Sequence, residues 1–189
     1  MHKSYESRPS LKKRLLRALE KVKPHVNLRG SDIKVVIITK ANIEAVARRF
    51  KIPDITAWHG TISSCSSVGN TYYLFYNKHV WAAAPQEALI GNIAHELVHR
   101  EFLELNPNWY MKEGVFPPDY FRPCNNSNAV FSESLVDLVV MHKGFKNETY
   151  KWKHYLETTH TSFIGLCSTT TTSLLKQAEY LEEYYGWIK

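Results

Sequence analysis

The sequence predicts an α+β fold in which a small, mostly antiparallel sheet packs on a long central helix and further helices complete the domain. Residues 33–38 are largely apolar and β-branched, and residues 71–76 carry four aromatic rings, too many for a helix surface, so both segments are predicted strands. Residues 85–105 are apolar around most of a helix circumference, which predicts a helix within the core. We expect one domain over residues 1–189, with residues 1–30 as a helical N-terminal appendage.

The first half of the chain is predicted to alternate between helix and strand. Ser10 is a suitable N-cap, and the leucines after it recur at three- and four-residue intervals, as in an amphipathic helix. The predicted elements are a helix over 10–23, a strand over 33–38, a helix over 41–51, a strand over 55–64, a turn over 66–70 and a strand over 71–76.

The second half is predicted to be mainly helical. Pro85 suits the first turn of a helix that runs to about Leu105, where Asn106-Pro107 ends it. Four prolines between residues 106 and 126 indicate an irregular loop. A second helix is expected over 127–143, with Gly144 as its C-terminal stop, and the tail from Tyr150 is expected to be helical in two pieces.

Charge and cysteine content exclude several classes of function. The net charge is +6, and a basic run between Lys12 and Lys23 is typical of a solvated helix face; no nucleic-acid-binding motif accompanies it, so a nucleic-acid partner has no further support. The cysteines at 65, 124 and 167 lack the CxxC spacing of a thiolate zinc site. The absence of an apolar leader and of any long apolar stretch predicts a cytoplasmic protein without a membrane partner.

The most informative segment is Ala94-His95-Glu96-Leu97-Val98-His99, which contains the pattern His-Glu-x-x-His. On a helix, His95 and His99 lie one turn apart on one face, so both imidazoles can reach one ion at about 2.0–2.1 Å. Glu96 points close to the same side, where it can accept a proton from a metal-bound water. Because the surrounding helix is apolar, these polar groups need compensation by a cation; the alternative is a histidine pair hydrogen-bonded to backbone carbonyls.

The second predicted helix carries a pair of acids in an equally apolar setting. Glu133 and Asp137 are its only acids after residue 130, and they lie one helical turn apart. Carboxylates there need partners: a zinc ion would compensate Glu133 and an imidazole N–H would compensate Asp137. The alternative is a pair of carboxylates at a solvent edge.

The motif followed by Glu133-x-x-x-Asp137 resembles the gluzincin clan of zinc metallopeptidases, over roughly residues 70–143. The resemblance implies a zincin-like fold, with one Zn²⁺ held by His95, His99 and Glu133, and Glu96 as general base in peptide-bond hydrolysis. It also implies that Asp137 accepts the other ring N–H of His95 and that the strand before the motif helix binds a peptide or protein substrate at the sheet edge. A downstream His or Tyr would stabilise the oxyanion; the candidates are Tyr150, His154, Tyr155 and His160.

Other interpretations remain open. In a protease similar to the SprT-like group, which acts on DNA-bound proteins, His142, His154 or His160 would replace Glu133 as third ligand. A relative of the ImmA/IrrE-like group would cleave one dedicated regulatory protein. The alternative outside enzymology is a basic binding protein with a structural zinc, which would need four protein ligands and no open coordination position.

Overall fold

The computed structural model describes residues 9–28, 32–50, 63–68, 70–105 and 135–159, and over these residues the fold is α+β. Helices predominate, and they surround a small sheet. The elements in chain order are α1 (Leu11–Val22), β1 (Asp32–Ile38), α2 (Ile43–Phe50), β2 (Ser63–Val68), β3 (Thr71–Asn77), the short α3 (Lys78–Trp81), α4 (Gln86–Leu105), α5 (residues 135–140) and α6 (Lys146–Thr159).

Helix α1 forms where the sequence predicts it and packs on α4. Its N-cap is Ser10, whose hydroxyl accepts a hydrogen bond from the Lys13 amide at 3.4 Å. Arg14 is buried on the packed face, and its guanidinium donates to the carbonyl oxygens of Ala82, at 3.1 Å, and Ala84. This side chain therefore joins α1 to the segment that leads into α4.

The sheet has the order β1-β3-β2, and this overturns two predictions. β1 pairs with β3 in parallel along Asp32–Ile38, whereas β2 pairs with β3 antiparallel along Ser63–Val68, so the sheet is mixed and the prediction of a mostly antiparallel sheet is wrong. β3 is the central strand, so its prediction as an edge strand is also wrong. Only two residues separate β2 from β3, which forces an antiparallel hairpin, while the connection from β1 is long enough to contain α2 and return in parallel.

The strand predictions hold best for β1 and β3 and least well for β2. Residues 66–68, predicted to lie in a turn, belong to β2, and the predicted strand segment 55–62 lies outside the described residues. The predicted loop over 106–126 also lies outside them. Within the described part, α2 and α4 agree with prediction to within two residues at each end.

The two faces of β3 are covered by different helices. Tyr72, Leu74 and Tyr76 pack with α1 and α4 in the main core, whereas Phe75 packs with Ile43 of α2 on the opposite face. The sheet is therefore buried between helical layers, and α4 lies against it.

Helices α5 and α6 are joined by a π-helical turn, Met141–Phe145, in which Gly144 has φ +94°. The predicted helix stop at Gly144 thus coincides with a kink, after which α6 begins at Lys146, four residues before the predicted start. α6 packs closely on α4: a Cβ atom on Gly91 would lie 2.3 Å from the Glu148 carbonyl oxygen. Among the described residues, no helix has both the length and the apolar character to cross a bilayer.

Candidate metal centre

His95 and His99 lie side by side on α4, as residues four apart on a helix must. Their Nε2 atoms are 2.9 Å apart, and their rings meet nearly edge to face, with an interplanar angle of 80°. Both are buried, with 4% and 3% of their surface exposed. Two imidazole nitrogens therefore converge on one point inside the protein.

The other ring nitrogen of His95 contacts a carboxylate. Nδ1 lies 2.8 Å from Oδ1 of Asp137, a fully buried residue of α5. Because a carboxylate accepts, the proton of a neutral His95 resides on Nδ1, and the Nε2 lone pair points towards His99. The carboxylate thus selects the tautomer that a metal ligand needs.

Asp137 is itself held by a residue that the motif analysis missed. Lys153 of α6 places its ammonium nitrogen 2.7 Å from Oδ2 of Asp137, and only 3% of its side chain is exposed. The same nitrogen lies 4.2 Å from the ring centroid of Trp152. Lys153, Asp137 and His95 therefore form a buried chain of contacts across three helices, which we call the Lys153–Asp137–His95 relay.

The sequence contained a signal for Lys153, although no motif includes it. Thr149, Trp152 and Leu156 recur at helical spacing and form the buried stripe of α6, and Lys153 is four residues after Thr149, on that stripe. A lysine on the apolar face of a helix needs a buried counter-charge, and the Asp137 carboxylate supplies it.

The motif helix is enclosed by neighbouring rings. The Trp152 ring centroid is 4.6 Å from that of His95, and the Tyr72 hydroxyl donates to the Glu96 carbonyl oxygen at 3.1 Å. Glu96 is 8% exposed, next to His95 in the chain. Trp152 of α6 therefore packs on the His95 ring, and Tyr72 of β3 holds the backbone of the next residue.

Not every residue predicted for the site is described. The structure brings His95, His99 and Asp137 together and places Glu96 beside them, whereas Glu133 lies outside the described residues. Within the described ranges, no group of three or more His, Cys, Asp or Glu side chains converges to hold a metal.

The alternative third ligands and oxyanion donors are placed as follows. His142 and His154 are exposed, and neither joins His95 and His99 in a ligand group. The Tyr155 hydroxyl donates to the Val80 carbonyl oxygen, and Tyr150 is half-buried. His160 lies outside the described residues.

The donor pair fits zinc in type and is close to it in geometry. Imidazole nitrogens are good zinc ligands, and two of them on a tetrahedral ion with bonds of about 2.0–2.1 Å would be about 3.4 Å apart. The observed distance of 2.9 Å between the two Nε2 atoms is that of a hydrogen bond. Because the proton of a neutral His95 is on Nδ1, His99 Nε2–H is the donor in this bond. A cation between the two atoms would replace that proton after a small rotation of either ring.

In comparisons with known proteins, no family model, no curated protein and no solved structure matches the chain.

Proposed function

We propose that this protein is a zinc-dependent peptidase of the zincin-like type, in which His95, His99 and Glu133 bind one Zn²⁺ and Glu96 is the general base. The observation that carries the proposal is the position of Asp137. Its carboxylate meets Nδ1 of His95 at 2.8 Å while Nε2 faces His99. A carboxylate behind one histidine of a His-Glu-x-x-His pair is the arrangement expected around a bound zinc.

The relay also favours a metal over a purely structural histidine pair. A buried Asp and a buried Lys each lose several kcal/mol of hydration, and apolar residues of similar size would often be no less stable. Two histidines hydrogen-bonded to each other need no such pair behind them. The cost of burying these charges is explained if His95 must present a lone pair in a fixed direction to a cation.

The proposal assigns a role to each of these side chains. When bound, Zn²⁺ supplies Lewis acidity that polarises a carbonyl group and acidifies a coordinated water. Glu96 accepts the proton of the attacking water and returns it to the leaving amine. Asp137 holds the tautomer of His95, and Lys153 holds the orientation of Asp137. Glu133 completes the ligand set from four residues before Asp137 in the sequence.

The central position of β3 changes the expected substrate site. A peptide cannot add to β3, because β1 and β2 occupy both of its edges. In the described part of the chain, β2 runs antiparallel to β3 and is paired with a strand along one edge only. We therefore assign the substrate to the outer edge of β2.

Elemental analysis and peptide cleavage test the proposal. The purified chain should contain about one zinc per molecule and hydrolyse a peptide library, and a chelator should abolish hydrolysis. Glu96→Gln should retain zinc but lose about 10²–10⁴-fold in kcat, because the proton acceptor is removed while the ligands remain. The matched control is Glu87→Gln, an exposed glutamate of the same helix, which should leave both quantities unchanged.

Glu133→Gln tests the third ligand separately. Loss of zinc and activity together supports Glu133, whereas full zinc content and activity would rule out the gluzincin ligand set. Zinc binding without hydrolysis of any peptide, in wild type and Glu96→Gln alike, would contradict a peptidase and favour a structural zinc.

The SprT-like alternative receives less support from the geometry. It requires a histidine as third ligand, and the described candidates, His142 and His154, are both exposed and outside the ligand group. His160→Ala therefore separates the two ligand sets: only a histidine ligand would make zinc content fall in this variant.

A further inference from the structure

A groove of about 450 Å³ crosses the outer edge of β1, between α1 and α2. Lys12 and Leu16 of α1 line it on one face of the sheet. Arg49 and Phe50 of α2 line it on the other, and β1 itself forms the floor. The groove contains no residue of the relay and neither motif histidine.

The floor of the groove presents backbone groups of an edge strand. The Asp32 amide donates to the Asn70 carbonyl at 3.2 Å, so the even-numbered residues of β1 direct their backbone groups towards β3. The backbone groups of Ile33 and Val35 therefore point outward, and no strand lies beside them in the described part of the chain. The Ile37 carbonyl, also outward, accepts a hydrogen bond from Asn42 Nδ2 at 2.9 Å and marks the end of the open edge.

The walls combine apolar surface with positive charge. Leu16 is 40% exposed, more than any other large apolar side chain of the described residues. Lys34 is paired with Asp32 at 3.2 Å, but Lys12 and Arg49 have no carboxylate partner within the described ranges. The Arg49 guanidinium lies over the Phe50 ring, 5.5 Å from its centroid. Each face of the open edge therefore has one cation without a carboxylate partner among the described residues.

We propose that this groove binds an extended, acidic segment of a partner protein, which adds to β1 as a further strand. Unpaired N–H and C=O groups at a sheet edge are satisfied by an added strand, and pockets beside the edge select its side chains. Successive residues of such a segment point to opposite faces. Apolar side chains would cover Leu16 and Phe50, and carboxylates would reach Lys12 and Arg49.

The charge favours a different protein over a second copy of this chain. Pairing of two β1 edges would bring two sets of basic side chains together, and like charges across an interface oppose association. An acidic segment gains attraction from the same side chains. The inference does not depend on zinc or on peptidase activity, because the groove and the metal centre share no residue.

Fluorescence anisotropy with a defined probe tests the proposal. The probe is the labelled peptide Glu-Glu-Val-Thr-Val-Thr-Glu-Glu, which presents a carboxylate on both faces at both ends. Full-length protein carrying Glu96→Gln is used, so that hydrolysis cannot consume the peptide. Saturable binding that weakens as salt rises is expected.

Two comparisons assign the binding to the groove. Lys12→Gln with Arg49→Gln should weaken binding about tenfold, because two exposed charge contacts with the peptide carboxylates are removed. Lys13→Gln with Arg48→Gln changes the protein charge equally, at exposed positions that do not line the groove, and should change affinity less than twofold. A probe N-methylated at both valines should bind at least tenfold more weakly, because alternate backbone donors are blocked.

The proposal is overturned if the two double variants lose affinity equally, if the N-methylated or an all-Gln probe binds as well as the original, or if the protein alone is a dimer that the probe cannot dissociate. Because binding is measured in Glu96→Gln protein, these outcomes stand whether or not the chain proves to be a zinc peptidase.

Discussion

At the scale of single residues, the most consequential contact is the buried pair of Lys153 and Asp137. The ammonium and carboxylate lie 2.7 Å apart, and neither is appreciably exposed. The carboxylate is shared, because its second oxygen meets His95. Removal of either charge leaves the other without compensation in the core, where it costs about 3–5 kcal/mol. The pair therefore couples the stability of the fold to the orientation of a proposed zinc ligand.

Lys153→Met should lower both stability and zinc affinity. We expect a loss of about 3–5 kcal/mol in the free energy of unfolding, measured by urea denaturation, because Asp137 is left buried without its cation. Zinc affinity, measured by competition with a chromophoric chelator, should fall about 10–100-fold as Asp137 loses its fixed orientation. Lys151→Met, an exposed position on the same helix, serves as control.

A double variant separates the two effects. Lys153→Met with Asp137→Asn removes both charges, so stability should recover in part while zinc affinity stays low. If zinc affinity recovers together with stability, the relay has only a structural role.

At the scale of elements, the contact between α4 and α6 depends on Gly91. A Cβ atom there would lie 2.3 Å from the Glu148 carbonyl oxygen, a backbone atom that cannot rotate away. Trp152 and Lys153 follow Glu148 on α6, so the separation of the two helices sets the distance of these side chains from His95 and Asp137.

Gly91→Ala tests this contact, because helix propensity and the steric clash would change the free energy of unfolding in opposite directions. Helix propensity alone would stabilise the protein by about 1 kcal/mol. The clash reverses the sign, and we expect destabilisation of about 1–3 kcal/mol in urea denaturation, with weaker zinc binding as α6 moves outward. Lys151→Ala on the exposed face of α6 should change stability by no more than about 0.5 kcal/mol. Increased stability of Gly91→Ala would show that the helices are farther apart than the contact implies.

In the sheet, the strands themselves can be predicted from their own residues, whereas the direction of their pairing cannot. Strand β3 was predictable from its own residues, but its central position was wrongly predicted as an edge. The buried residues Tyr72, Leu74, Phe75 and Tyr76 form a nearly continuous run, typical of a strand covered on both faces, and that signal was not used. The parallel pairing with β1 was not predictable in the same way, because it depends on the path of the chain through α2.

The residues of the candidate site also fall into two groups, those that a sequence pattern predicts and one that it does not. His95, Glu96 and His99 follow from one motif, and Asp137 follows from a carboxylate in an apolar helix. Lys153 was missed because no motif includes it, and its only signal is its place on the buried stripe of α6.

At the scale of the whole molecule, a metal between α4 and the rest of the chain should stabilise the folded state. A ligand that binds only the native protein adds about 2.7 kcal/mol at a free concentration of 100 times its Kd. The melting temperature, measured by calorimetry, should therefore rise on addition of zinc and fall after dialysis against a chelator. His99→Ala should abolish this difference, and Mg²⁺ should not reproduce it. Equal zinc-dependent shifts in wild type and His99→Ala would place the metal elsewhere.

The Arg14 guanidinium, which donates to the Ala82 and Ala84 carbonyls, has a practical consequence for anyone who shortens the chain. A protein that starts after residue 22 would uncover the apolar surface now beneath Leu15 and Val22, and it would deprive two carbonyl groups of their donor just ahead of the motif helix. We expect such a truncated form to be insoluble or partly unfolded when expressed. We therefore expect helix α1 to be needed for the folding of the half of the molecule that contains the motif helix.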